Sequence, residues 1–196
     1  MFRVPKGYEE FCKPTFLCES DSVEIKNLSR KIIKNSKTKK EAVKSIFLYV
    51  RDRVKWDIVE IVGAKELLKR RPLIGICVDK VNLFIALCRS IGIPARYLLI
   101  FHCELRRIND EFPKVIQHVA AEIYLNGKWR IVDPTFGHHT QKLIPISEFE
   151  RPSWKKIKYF IRLKEFTRMM KYLSTFFLNL SPSALKMKNL IKSVEK

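Results

Sequence analysis

Residues 77–91, CVDKVNLFIALCRSI, restrict the fold more than any other stretch of this chain. Val78, Val81, Leu83, Phe84, Ile85, Leu87, Cys88 and Ile91 fall on nearly every side of a 3.6-residue repeat. A helix that is apolar all round cannot lie on a surface, so this one is expected to run through the centre of a domain. Gly92 supplies its C-terminal stop and Pro94 prevents continuation. The chain has 196 residues, of which 46% are hydrophobic, enough for one compact domain with a real core.

The flanks read differently on the two sides. About residues 21–35 repeat apolar side chains at helical spacing: Val23, Ile25, Leu28, Ile32 and Ile33. Thr38 followed three residues later by Glu41 is a capping box, and Ala42, Ile46, Tyr49 and Val50 form the apolar stripe of the helix it opens. AKELLKRR predicts a short helix stopped by Pro72. ARYLLIFHCEL after Pro94 is rich in strand formers. HVAAEIYL and KWRIVDP flank Asn126-Gly127, the strongest short hairpin signal. Beyond Pro134 the chain reads as irregular. From Phe160 to Phe177 the pattern returns to helix: Phe160, Leu163, Phe166, Met170, Leu173 and Phe177 recur every three or four residues between basic ones. Ser181-Pro182 is a cap and first-turn proline for a last helix. Helices, then an antiparallel sheet, then helices predict the α+β class. The expected organisation is a core over residues 1–150 and a basic helical region over 151–196 packed on it.

Charge is the compositional outlier, with 39 Lys and Arg against 20 Asp and Glu, a net +19. Residues 151–196 hold 12 of the former and 2 of the latter. Such a field attracts acidic surfaces of nucleic acid, membrane or protein, and the basic C-terminal segment is the expected contact. A solvated lysine-rich surface is the plainer explanation. The start, MFRVPKGYEEF, lacks the apolar region of a signal peptide, and no run has the length of a membrane span. Five scattered cysteines form no CxxC pair and read as reduced thiols, so a cytoplasmic setting is expected. The histidines show no metal-ligand spacing, and no metal or cofactor is expected.

The hairpin has a chemical consequence. A two-residue turn sets Leu125 against Lys128, so paired positions sum to 253 and Asp133 stands opposite Ala120. His118, two residues from Ala120, shares its face. His118 and Asp133 are then diagonal neighbours, within reach of a carboxylate that fixes the imidazole tautomer. Cys77, at the start of the central helix, is the natural third member. Free N–H groups and the helix dipole favour a thiolate there, and its backbone N–H is placed for an oxyanion. Each element alone has an ordinary reading: a packed cysteine, a structural histidine, an aspartate that starts a turn.

Four ordered segments decide between these readings. GICVDKVNLFIALCRSIGIPARYL, HVAAEIYL, WRIVDPTF and the upstream VKWDIV together resemble the transglutaminase-like, papain-related cysteine enzymes over about residues 41–136. The resemblance implies a papain/transglutaminase-like core with a catalytic triad of Cys77, His118 and Asp133. It also implies that Trp56 lends its indole N–H to the oxyanion, against the alternative of an aromatic core residue. Glu122 matches the family glutamate and is expected on the triad face in a supporting role. The family often has tryptophan two residues after the histidine; Ala120 stands there instead, which is expected to open or reshape the pocket.

Such a triad performs acyl transfer through a cysteine thioester. Hydrolysis of a peptide or isopeptide amide is the favoured expectation, with a protein or peptide substrate. The alternatives are a protein-glutamine transglutaminase, in which an amine replaces water, and a non-catalytic binding module whose basic tail holds an acidic partner.

Overall fold

The computed structural model describes residues 1–166 and 189–190. Helix α1 (Val23–Ile32) starts at Ser22, whose hydroxyl accepts the Ile25 N–H. Helix α2 (Lys39–Arg53) starts at Thr38, whose Oγ1 accepts the Glu41 N–H at 3.2 Å. It buries Val43 and Phe47 beside the expected Ala42, Ile46 and Val50, a broader stripe than the sequence pattern implies. A two-residue strand β1 (Lys55–Trp56) follows, then the single-turn helix α3 (Ala64–Leu67), which ends five residues short of Pro72. Strand β2 (Ile74–Gly75) pairs in parallel with β1 and leads directly into α4 (Cys77–Ser90).

Helix α4 is the centre of the molecule. Every residue from Val78 to Ser90 is buried, including Asp79, Lys80, Asn82 and Arg89. α1, α2 and α3 pack on one side of it, and the sheet packs on the other. Its C-terminus turns at Gly92, where φ is +83° and a β-carbon would strike the carbonyl of Phe2. Arg89 ties the turn together. Its guanidinium donates to the carbonyls of Ala95, Lys13 and Lys164 at 2.6–3.1 Å.

The main sheet is antiparallel, in the order β5-β4-β3-β6. Strand β3 (Ala95–Leu105) covers the expected ARYLLIFHCEL. Strand β4 (Val115–Leu125) begins three residues before His118, and β5 (Lys128–Val132) returns from the hairpin. Asn126 and Gly127 both have positive φ, 52° and 80°, as a type I′ turn requires. The register pairs Leu125 with Lys128 and Ala121 with Val132, as the turn length dictates. Alternation along the strands separates two faces. Tyr97, Val119, Ala121 and Ile123 join the core around α4, while Leu98, Ile100 and Ala120 join a second apolar cluster with Trp56, Phe112, Phe136 and Trp154.

One expectation is corrected. Residues Trp154–Leu163 form strand β6, paired antiparallel with β3, and not the start of an amphipathic helix. The free edge of β3 offers a full row of backbone partners, and the aromatic and β-branched content of WKKIKYFIRL suits a strand. The sheet therefore continues past residue 150. Phe166 is buried against Tyr97. The remainder of the expected Phe160–Phe177 helix, and the Ser181-Pro182 start, lie outside the described residues.

Candidate active site

Cys77 is the first residue of α4 and is half-buried, at the end of the helix where backbone N–H groups have no intrahelical acceptor. Local structure makes this turn rigid. The Asp79 carboxylate reaches back to the Ile76 N–H at 3.0 Å and across to the Val62 N–H at 2.7 Å. Gly75 permits this closeness, since a β-carbon there would lie 2.6 Å from the Asp79 Cβ.

His118 is buried on β4, and Asp133 is buried just beyond the end of β5. His118 Nε2 and Asp133 Oδ2 are 3.0 Å apart. The second Asp133 oxygen accepts the Thr135 N–H at 3.1 Å, so the carboxylate is held from both sides. With Nε2 occupied, Nδ1 is the nitrogen left for a further partner, and Cys77 lies close enough to act on the ring. The structure thus brings Cys77, His118 and Asp133 together. Burial works against a charged imidazole, but Asp133 and Cys77 outweigh it, and the His118 pKa is pushed up to about 10.

The imidazole is fixed by aromatic rings as well. Phe136 stacks on it at 5.6 Å and Trp154 meets it edge-on at 5.6 Å. Phe136 follows Asp133 by three residues; Trp154 comes from β6. Ala120 is fully buried in the same cluster as these two rings.

Trp56 lies across the β1–β2 bridge from Gly75, two residues before Cys77. Its side chain is buried near Phe136, and its indole Nε1 has no hydrogen-bond partner among the described residues. A buried donor without an acceptor is uncommon and calls for a reason. Glu122 shares the His118 face of β4 but does another job. It accepts Arg96 at 2.7 Å and Arg162 at 2.9 Å, joining β3, β4 and β6. Arg96 in turn stacks on Trp129 at 3.9 Å. Burial raises the other four thiols. It pushes Cys12 up to about 11, Cys18 up to about 12, and Cys88 and Cys103 well above the ordinary thiol value.

The sequence profile described as Transglutaminase-like superfamily matches residues 26–134, more than half of the chain. The chain belongs to the transglutaminase-like superfamily. Among solved structures, it is similar to a candidate cysteine protease from Cytophaga hutchinsonii, with a TM-score of 0.55 and 22% identity. That match covers 81% of this chain and 55% of the other, so the chain spans about half the length of that protein. A candidate protease from Parabacteroides distasonis matches at a TM-score of 0.46 and 16% identity, over 73% of this chain and 29% of that one. A structure described as a TGase matches at 0.37 and 17%, over 59% of this chain and 33% of that one. No curated protein is significantly similar in sequence. The transglutaminase-like core is thus an α+β unit of a cysteine-dependent enzyme family, and in this chain the sheet continues beyond the matched residues with β6 at its edge. Among the described residues, no helix is long and apolar enough to cross a membrane.

Proposed function

We propose that this transglutaminase-like chain is an acyl-transfer enzyme that hydrolyses a peptide or isopeptide amide through a thioester on Cys77. The observation that carries this reading is the buried His118–Asp133 pair at 3.0 Å with Cys77 beside the ring at the start of α4. In the first half-reaction the thiolate attacks the amide carbonyl carbon and a C–S bond forms. The carbonyl oxygen becomes an oxyanion, and the Cys77 backbone N–H and the unpartnered Trp56 indole N–H are the donors assigned to it. His118 gives its proton to the leaving amine as the C–N bond breaks. In the second half-reaction neutral His118 takes a proton from water, the hydroxide attacks the thioester, and the C–S bond breaks to release a carboxylic acid. Asp133 holds the ring and balances its charge throughout.

A peptide-thioester probe tests this directly. Wild-type protein should form a covalent adduct on Cys77, and His118→Ala should not. A labelled primary amine supplied with a glutamine-containing protein separates the two acceptors. New termini without amine incorporation mean hydrolysis; incorporated amine means transamidation, and overturns the choice of water. No adduct on Cys77 overturns the enzyme reading in favour of a binding module.

The exposed Lys155, Lys156 and Lys158 of β6 and the net charge of +19 support an acidic surface as a partner. Retention on anionic vesicles or nucleic acid that falls steeply with salt is the expected behaviour.

A further inference from the structure

Lysine is among the side chains least often fully buried. Lys80, three residues after Cys77 on α4, is 0% exposed. Its ammonium donates to the Val54 carbonyl at 2.6 Å and to the Arg51 carbonyl at 3.0 Å. Both acceptors belong to the C-terminal end of α2, where carbonyls lack intrahelical partners and the helix dipole is negative. The chain leaves Val54 straight into β1, and Trp56 is two residues on.

Backbone hydrogen bonds also hold the stretch around Trp56. Lys55 N–H donates to the Leu73 carbonyl at 2.9 Å, and Asp57 N–H to the Gly75 carbonyl at 3.4 Å. Those acceptors stand four and two residues before Cys77 in the chain, and Lys80 stands three residues after it. Residues 54–57 are therefore clamped between the two segments that flank the nucleophile. A two-residue strand alone fixes a side chain poorly, yet a buried indole N–H serves an oxyanion only if its direction is fixed before the charge develops.

We propose that Lys80 is a positioning residue: by pinning the end of α2 to the first turn of α4, it holds the Trp56 indole N–H in register with the Cys77 thiol. The inference rests on the reading of Cys77 as an acyl-accepting nucleophile. Burial draws the Lys80 pKa down to about 7 against the opposing pull of Asp133 and Asp52, so the two hydrogen bonds, and not a full charge, hold the segments together. A methionine of similar length would fill the space but leave both carbonyls unpaired.

The test uses the full chain and Lys80→Met, with Lys80→Gln as the variant that retains one donor should Lys80→Met not fold. The first readout is the 15N indole resonance of Trp56, assigned by its loss in Trp56→Phe. Lys80→Met should shift or broaden it while Trp129 keeps its resonance. In the second, iodoacetamide alkylation of Cys77, which forms no oxyanion, should keep its rate, while acylation by a peptide thioester should fall about 100-fold, as a misplaced donor predicts. In a Trp56→Phe background, the same lysine substitution should cost nothing further. An unmoved Trp56 resonance, or an equal loss of acylation with and without the indole, overturns the proposal. If wild-type Cys77 does not acylate at all, the enzyme reading fails, and the Trp56 resonance still decides whether Lys80 anchors that side chain.

Discussion

His118 and Asp133 share a 3.0 Å hydrogen bond although the strand ladder does not pair them. Ala121 pairs with Val132, which sets Asp133 level with Ala120, two residues along β4 from His118. The carboxylate reaches diagonally across one face, and both groups are buried. Asp133→Asn keeps the shape and removes the charge that selects the ring proton. Acylation of Cys77 should drop by about 100-fold or more, with the circular dichroism spectrum unchanged. Stopped reactions with the thioester probe, read by mass spectrometry of the intact chain, measure it.

The five thiols should separate in a single alkylation experiment. Cys88 and Cys103 are fully buried and their thiols pushed well up; Cys18 is buried and pushed up to about 12. Cys12 is half-buried but pushed up to about 11 by burial. Cys77 is half-buried and sits beside His118. Peptide mapping after brief iodoacetamide treatment at neutral pH should find the label on Cys77 first, and His118→Ala should slow it. Equal labelling of Cys12 and Cys77 would contradict the assignment.

The raised pKa of His118 has a thermodynamic sign. Its ordinary value is 6.5 and its value in the fold about 10, so the folded chain binds an extra proton between them. Stability from this group is complete below about pH 6.5 and is lost as pH rises through about 10. The stability gap between wild type and His118→Gln, measured by urea unfolding, should therefore narrow over that window. A gap that widened with pH would mean that the imidazole is held neutral.

Glu122 should prove structural. Its side chain is 4% exposed and its partners Arg96 and Arg162 are 18% and 46% exposed. Glu122→Leu leaves Arg96 without its carboxylate in a mostly buried place and should cost about 3 kcal/mol. Arg162→Met removes a half-exposed partner and should cost under about 1 kcal/mol. Urea titration gives both numbers. Alkylation of Cys77 in the folded fraction should not change in either variant.

The grouping of Cys77, His118 and Asp133 was legible because each part of it is local. The Asn126-Gly127 turn sets the β4–β5 register by itself, so the shared face of His118 and Asp133 follows without knowledge of the rest of the chain. The start of α4 at Cys77 is fixed by Gly75 before it and by the unbroken apolar run after it. The C-terminal stretch was not legible in the same way. Phe160, Leu163 and Phe166 have helical spacing, but strand pairing with β3 is a non-local contact that overrides local periodicity. Trp154 reaches His118 only through that pairing, so nothing near the histidine in sequence announces it.

The buried charges mark the same division. The sequence by itself determined a central helix, a hairpin and the residue types of a cysteine site, because turns, caps and apolar periodicity act over a few residues. It also placed Asp79 and Lys80 on the central helix. Only the tertiary structure decided that both are interior, because only there do the Ile76 and Val62 N–H groups and the Arg51 and Val54 carbonyls arrive to satisfy them. Burial of a charge depends on partners distant in the chain, and the fold alone brings those partners together.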